Sequence, residues 1–192
     1  MTMSTYVKNG HLHGKINHER LAYFDIIGRD AARNLFTQKG WTASTNDRDD
    51  QGNLVFSRTD LKVIRNNTEL HIEAATKRSN IFKFIYQGVD IETRKLKYFT
   101  ENQNAFVSMC DYYGEKPNFY CGNELILIHC KYLFLADKNL NECKRIEKNC
   151  KNGLNQTGDL ESFYRIPYKF LWHYVKDHSG LYKLKNKPVI TE

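Results

Sequence analysis

Two strand-like runs separated by a short polar turn constrain this chain more than any other feature. VFSRTDLKVI (55–64) and LHIEAATK (70–77) flank the turn RNNTE (65–69). Runs of that length joined by an Asn-rich turn form an antiparallel hairpin. Strand side chains alternate between faces, so Leu70, Ile72 and Ala74 share one face. His71, Glu73, Ala75 and Lys77 then share the other. A hairpin with an apolar face needs a sheet and a covering layer, and 192 residues are enough for one domain with a real core.

The flanking segments supply those layers. NHERLAYFDIIGRDAARNLFTQK (17–39) places Leu21, Phe24, Ile27, Ala31 and Leu35 at helical spacing. Asn17 is its expected N-cap, Gly40 its stop, and Gly28 a point where it bends. WTASTNDRDDQGNL (41–54) reads as an extended start followed by a polar turn. IFKFIYQGVDIE (81–92) reads as a strand with a turn at Gly88, and ENQNAFVSMCDYYG (101–114) as a short helix. ELILIHCKYLFLAD (124–137) reads as a core strand or strand pair, and 138–158 as a polar excursion. SFYRIPYKFLWHYVKDHSG (162–180) predicts a helix from about 167, with Pro167 in its first turn and Gly180 past its end. The expected fold class is α/β, with a central mixed sheet flanked by helices. The chain reads as a single domain, 1–192, with a core over 17–137 and a C-terminal extension of helical character over 138–192.

Charge and cysteine usage narrow the function classes. The net charge is +7 and the pI about 9.1, with basic residues scattered along the chain, which fits a polyanionic partner. LILIHCKYLFLA (125–136) is interrupted by His129 and Lys131 and falls short of a membrane span, so no membrane role is expected. MTMSTYVKNGHLHGK has no apolar core, so a cytoplasmic location with reduced thiols is expected. The gaps between Cys121, Cys130, Cys143 and Cys150 match no common zinc module. The acidic loop NDRDDQGN has Arg58 where a calcium loop needs its twelfth-position Glu. His173 and His178 are five apart, not at the spacing of a helical metal pair.

The hairpin carries the candidate chemistry. Asp60 lies on its first arm and Glu73 on its second, so their carboxylates can converge on a hard divalent cation. Lys77 lies on the Glu73 face, where it can hold a water or stabilise charge on a phosphate. Tyr112, Tyr113, Phe119 and Tyr120 read as core or surface aromatics, with base stacking as the functional alternative.

At these residues the chain resembles the PD-(D/E)XK nuclease superfamily, with its restriction endonuclease-like core. GRDAARNLFTQKGWTAS resembles the family's opening helix and first strand, and RTDLKVIRNNTELHIEAATK its metal-binding hairpin. The resemblance implies a DNA endonuclease using Mg²⁺, with Mn²⁺ as a substitute. Asp60 and Glu73 would hold the metal, with the backbone carbonyl of Ala74 as a further ligand. The motif lysine falls at Ala75, so Lys77 is expected to replace it by reaching back; Thr59 stands where the family's Pro is usually found. Glu19 matches an accessory acid of some members. Arg78, Lys83, Arg94, Lys95 and Lys97 are the expected phosphate contacts, and a homodimer would place two sites across a duplex. Two rival readings stand beside it. One is a nuclease-like DNA-binding module without catalysis, favoured by the missing lysine. The other is a protein–protein assembly factor that uses the aromatic stretch 112–120.

Overall fold

The computed structural model describes residues 7–8, 11–12, 18–46, 49, 51–52, 55, 58–78, 82, 84–113, 120–149 and 160–189. It gives backbone alone for 7–25 within that set and for 78, 113, 120 and 121. A two-residue pair, β1 (Val7–Lys8) and β2 (His11–Leu12), precedes the helix α1 (His18–Gln38). Then come β3 (Thr42–Thr45), β4 (Leu61–Arg65) and β5 (Thr68–Arg78), an antiparallel meander. The expected hairpin is present, but its first arm is shorter than expected: β4 starts at Leu61, and residues 58–60, Asp60 included, precede it. Its two-residue turn is Asn66-Asn67, both at positive φ (49° and 62°), a geometry that Asn tolerates and that matches strand twist.

After β5 the chain crosses over the sheet through a 3-10 turn (Ile85–Gln87), β6 (Val89–Glu92) and a second 3-10 segment (Thr93–Tyr98). It returns as β7 (Ala105–Tyr113), parallel to β5. Parallel neighbours need such a crossover, because the chain must come back to the starting end. β8 (Tyr120–His129), α2 (Lys131–Asp137), β9 (Lys144–Asn149), β10 (Leu160–Ile166), a 3-10 turn (Tyr168–Phe170), β11 (Trp172–Lys176) and β12 (Tyr182–Asn186) complete the order. Seven strands form one mixed sheet in the order β12-β11-β8-β7-β5-β4-β3, and β6-β10-β9 form a smaller sheet.

The main sheet is apolar on both faces. On one face α1 buries Ile27, Ala31, Ala32, Leu35 and Phe36 against Leu61, Val63, Ile72, Leu125 and Leu127. On the other, Val107, Met109, Ile126 and Ile128 pack under the small sheet and α2, through Ile91, Leu133, Tyr164 and Ile166. Each fully buried Leu or Ile here contributes roughly 1.5–3 kcal/mol. The sheet is thus flanked by helices, as the sequence implies, with the small sheet sharing the second face.

Several expectations change. The strand expected over 81–92 is confined to Val89–Glu92, because Ile85–Gln87 form a 3-10 turn. Residues 105–113 are not helical: they form β7, a central strand whose Ala105, Val107, Met109 and Cys110 are buried. Buried on both faces, that strand loses the clean alternation that would have marked it. Residues 124–137 are not two strands, because β8 ends at His129 and α2 follows. The stretch from 167 is a single 3-10 turn followed by β11, not a helix. Among the described residues, 138–189 contain four strands and a 3-10 turn, and β11 and β12 extend the main sheet, so this region is not a helical extension.

Candidate functional site

The register of β4 against β5 creates the site. Pairing runs from Arg65–Thr68 to Leu61–Ile72 and stops there, so beyond Ile72 β5 has β7 on one side and no β4 partner on the other. Backbone groups of alternate residues point to alternate edges. The His71 amide bonds to Asn104 on the β7 side, so the amide and carbonyl of Ala74 point to the opposite, open edge. Asp60, the residue before β4, closes that edge: its Oδ2 accepts the Ala74 N–H at 2.7 Å. Continuing the register by one position sets Asp60 opposite Glu73. The segment before β4 is anchored, since the Asn46 amide donates to the Asp60 carbonyl at 3.0 Å and the Asn46 side chain donates to the buried Thr59 hydroxyl at 3.1 Å.

Glu73 points away from α1 and is buried. A buried carboxylate requires a partner. One such partner is Lys95, which arrives on the crossover and places its ammonium directly on Oε1 of Glu73. Lys77, two turns of the pleat further along β5, faces Glu92 instead, at 3.8 Å. Arg94 also pairs with Glu92. Burial alone would raise the Glu92 pKa, but Lys77, Arg94 and Lys95 outweigh it and hold the carboxyl below its ordinary range. Lys77, Glu92, Arg94 and Lys95 border a groove of about 240 Å³ between β5 and β6, which Ala75, Val107 and Met109 also line. Ala75 leaves room where a longer side chain would fill it. On the sheet's other face, the Cα of Gly28 lies so close that a Cβ there would sit 3.2 Å from the Ala75 carbonyl oxygen. Helix α1 is therefore locked onto the Ala75 backbone from behind.

The sequence-nominated residues divide as follows. Asp60, Glu73 and Ala74 meet at one strand edge. Lys77 shares the face of Glu73 but its ammonium is directed to Glu92, so the lysine on Glu73 is Lys95, a residue nominated only as a phosphate contact. Arg94 borders the same groove, and Lys97 lies over the Tyr98 ring at 4.9 Å. The side chains of Glu19 and Arg78, and the whole of Lys83, lie outside the described residues. So do the side chains of Tyr113, Phe119 and Tyr120. Glu92 was not nominated; its place in GVDIETRK, between apolar strand residues and a basic run, was the available signal. His71 pairs with Glu69 at 3.0 Å on the hairpin surface. Cys130 and Cys143 are buried free thiols, each pushed up to about 11 by burial, and so lack thiolate character.

Two carboxylates and one outward-facing carbonyl are hard oxygen donors suited to Mg²⁺, which fills its remaining positions with water. Among the described residues no three His, Cys, Asp or Glu side chains converge, so the donor set is an open one and not a closed cage. The donor types suit such a metal, while Glu73 is paired with the Lys95 ammonium and Asp60 Oδ2 accepts the Ala74 amide. Among the described residues no helix is long and apolar enough to cross a membrane. No protein-family model matches this chain, and neither a curated protein nor a solved structure matches it.

Proposed function

We propose that this chain is a metal-dependent phosphodiesterase, a DNA endonuclease of PD-(D/E)XK type. The observation that carries the reading is the open edge of β5. There Asp60 is fixed on the Ala74 amide opposite Glu73, with a lysine ammonium on Glu73. The element order supports it too: a helix, a three-stranded antiparallel meander, a crossover and a parallel return strand.

Asp60, Glu73 and the Ala74 carbonyl would hold Mg²⁺, with Mn²⁺ as a substitute. When bound, the ion supplies Lewis-acid polarisation of the phosphate and a more acidic water. Lys95 takes the place that Ala75 leaves vacant in the motif. Its ammonium neutralises Glu73 at rest and is placed to stabilise charge on the scissile phosphate. Lys77 and Arg94, tethered to Glu92, orient the backbone of the strand entering the groove.

The experiment is cleavage of supercoiled plasmid with Mg²⁺, Mn²⁺ or EDTA by wild type, Asp60→Ala and Glu73→Ala. Metal-dependent nicking lost in both variants supports the reading, and cleavage unaffected by either ends it.

A second reading is favoured by the same ion pair. Lys95 satisfies Glu73 without a metal, as a nuclease-like DNA-binding module without catalysis would require. That reading gives salt-sensitive DNA binding with no metal-stimulated cleavage.

A further inference from the structure

Strand β6 opens onto a groove at each end. Its Glu92 end is the site just described. Its other end, five residue steps and roughly 16 Å away at Gln87, opens on a groove of about 410 Å³ bordered by Tyr86, Glu142, Lys144, Ile146, Arg165 and Tyr168. That volume is in the range of a small-molecule site.

The groove has a rigid aromatic wall. The Tyr168 hydroxyl is 3.1 Å from Nδ1 of His173, and Nε2 of His173 is 2.7 Å from Oε2 of Glu124. His173 is completely buried. With Nε2–H donating to the carboxylate, Nδ1 accepts the Tyr168 O–H, so His173 and Glu124 pin the Tyr168 ring from behind. Tyr86 packs on that pinned ring, with centroids 4.8 Å apart and planes tilted by 59°. Yet Tyr86 remains 60% exposed, and Phe84 on the same turn 61%. A large aromatic side chain held in place and left open to solvent is a stacking surface.

Cations surround it. Lys185 Nζ lies 5.8 Å from the Tyr86 ring centroid, and the exposed Lys144 stands on the rim. Arg165 is committed to Asp90 through two hydrogen bonds of 2.8 and 2.9 Å, and Lys169 to Glu142 at 2.6 Å. Lys144 and Lys185 are thus the cations best placed for an incoming anion. A flat π-face beside positive charge matches a nucleobase with its phosphate.

We infer that this groove is a nucleotide-binding site: the base stacks on Tyr86, and Lys144 and Lys185 receive the phosphate. The choice of nucleotide as ligand class rests on the phosphodiesterase reading, but the test does not pass through cleavage. In EDTA, labelled dodecathymidylate and an abasic strand of equal length are titrated against the full chain at one salt concentration. Wild type binds the base-bearing strand about tenfold more tightly, the scale of one stacked base. Tyr86→Ala brings the two affinities together, Tyr86→Trp restores the preference, and Lys144→Ala weakens both strands alike. Thymidine monophosphate as competitor separates the sources: displacement that depends on Tyr86 means that an isolated nucleotide suffices, and no displacement means that the nucleotide must lie within a strand.

Equal affinity of wild type for the two strands, binding of neither, or a preference that survives Tyr86→Ala would overturn the inference. A base preference that persists in Asp60→Ala while cleavage vanishes separates the two sites. Cleavage without any base preference removes this site alone.

Discussion

The carboxylate of Glu73 is held by Lys95, twenty-two residues further along the chain, and not by Lys77 on its own strand. The crossover forced by the parallel pairing of β5 and β7 carries Lys95 over the face where Glu73 emerges. The site is thus closed by a long-range contact.

Removing that contact should have a characteristic signature. Lys95→Ala leaves a buried carboxylate without its ammonium and is expected to cost about 3–5 kcal/mol. Lys95→Ala/Glu73→Gln should recover most of the loss at neutral pH. Urea unfolding of the three proteins at pH 7 checks both the loss and its recovery. Lys77→Ala, removing a longer and more exposed pair, should cost about 1 kcal/mol or less.

Gly88 should not tolerate a side chain. Its φ is 100°, and an added Cβ would lie 2.8 Å from the Ile166 carbonyl oxygen, a backbone atom that cannot swing aside. Gly88→Ala is expected to destabilise by roughly 2–4 kcal/mol. Thermal unfolding is the measurement, with Gly180→Ala as a control for positive φ alone, since nothing lies within 4 Å of its added Cβ.

The pinned tyrosine should also be visible in stability. Tyr168→Phe keeps the ring but leaves Nδ1 of buried His173 without its hydroxyl donor, at a cost of about 1–3 kcal/mol. A change of less than about 0.5 kcal/mol on urea denaturation would mean that the hydroxyl does not fix the ring.

Acid should weaken the fold through two histidines. His129 is lowered to about 4, first by burial and then by Lys131, and its Nδ1 accepts the Lys131 amide at 3.1 Å, a bond that protonation would break. His173 is lowered by burial against the opposing pull of Glu124; Lys185 adds to the lowering, and Tyr168 occupies its other nitrogen. A histidine whose folded pKa is depressed stabilises fully above its unfolded value of about 6.5, and the stability falls as pH drops towards the folded pKa. For His129 the shift corresponds to at most about 3 kcal/mol, which solvent around the half-buried ring reduces to roughly 1–2 kcal/mol. Urea midpoints should therefore fall between pH 7 and pH 5, and His129→Gln should flatten part of that slope.

Local signals in the sequence reached far into the fold, and they failed where burial removed them. α1 showed helical spacing and the Gly40 stop, and the Asn66-Asn67 hairpin showed its turn residues, so both were legible. β7 was misread because a strand buried on both faces has no polar alternation, and β11 because Pro167 and a cluster of aromatics resemble a helix start. At the candidate site, the proximity of Asp60 to Glu73 and Ala74 was legible, since Asp60 immediately precedes the hairpin that carries the other two. Lys95 and Glu92 were not legible as partners of that strand: no spacing rule links them to β5, and only the crossover brings them there.

The most direct test is metal-dependent cleavage of supercoiled plasmid by wild type, Asp60→Ala, Glu73→Ala, Lys95→Gln and Lys77→Ala, each first shown to be folded by circular dichroism. Nicking with Mg²⁺ is expected from wild type. It should fall by about 10²-fold or more in Asp60→Ala, Glu73→Ala and Lys95→Gln, and only a few-fold in Lys77→Ala. Full activity in folded Asp60→Ala and Glu73→Ala, or loss confined to Lys77→Ala, would contradict the assignment of the open β5 edge as the place where the phosphodiester is cut.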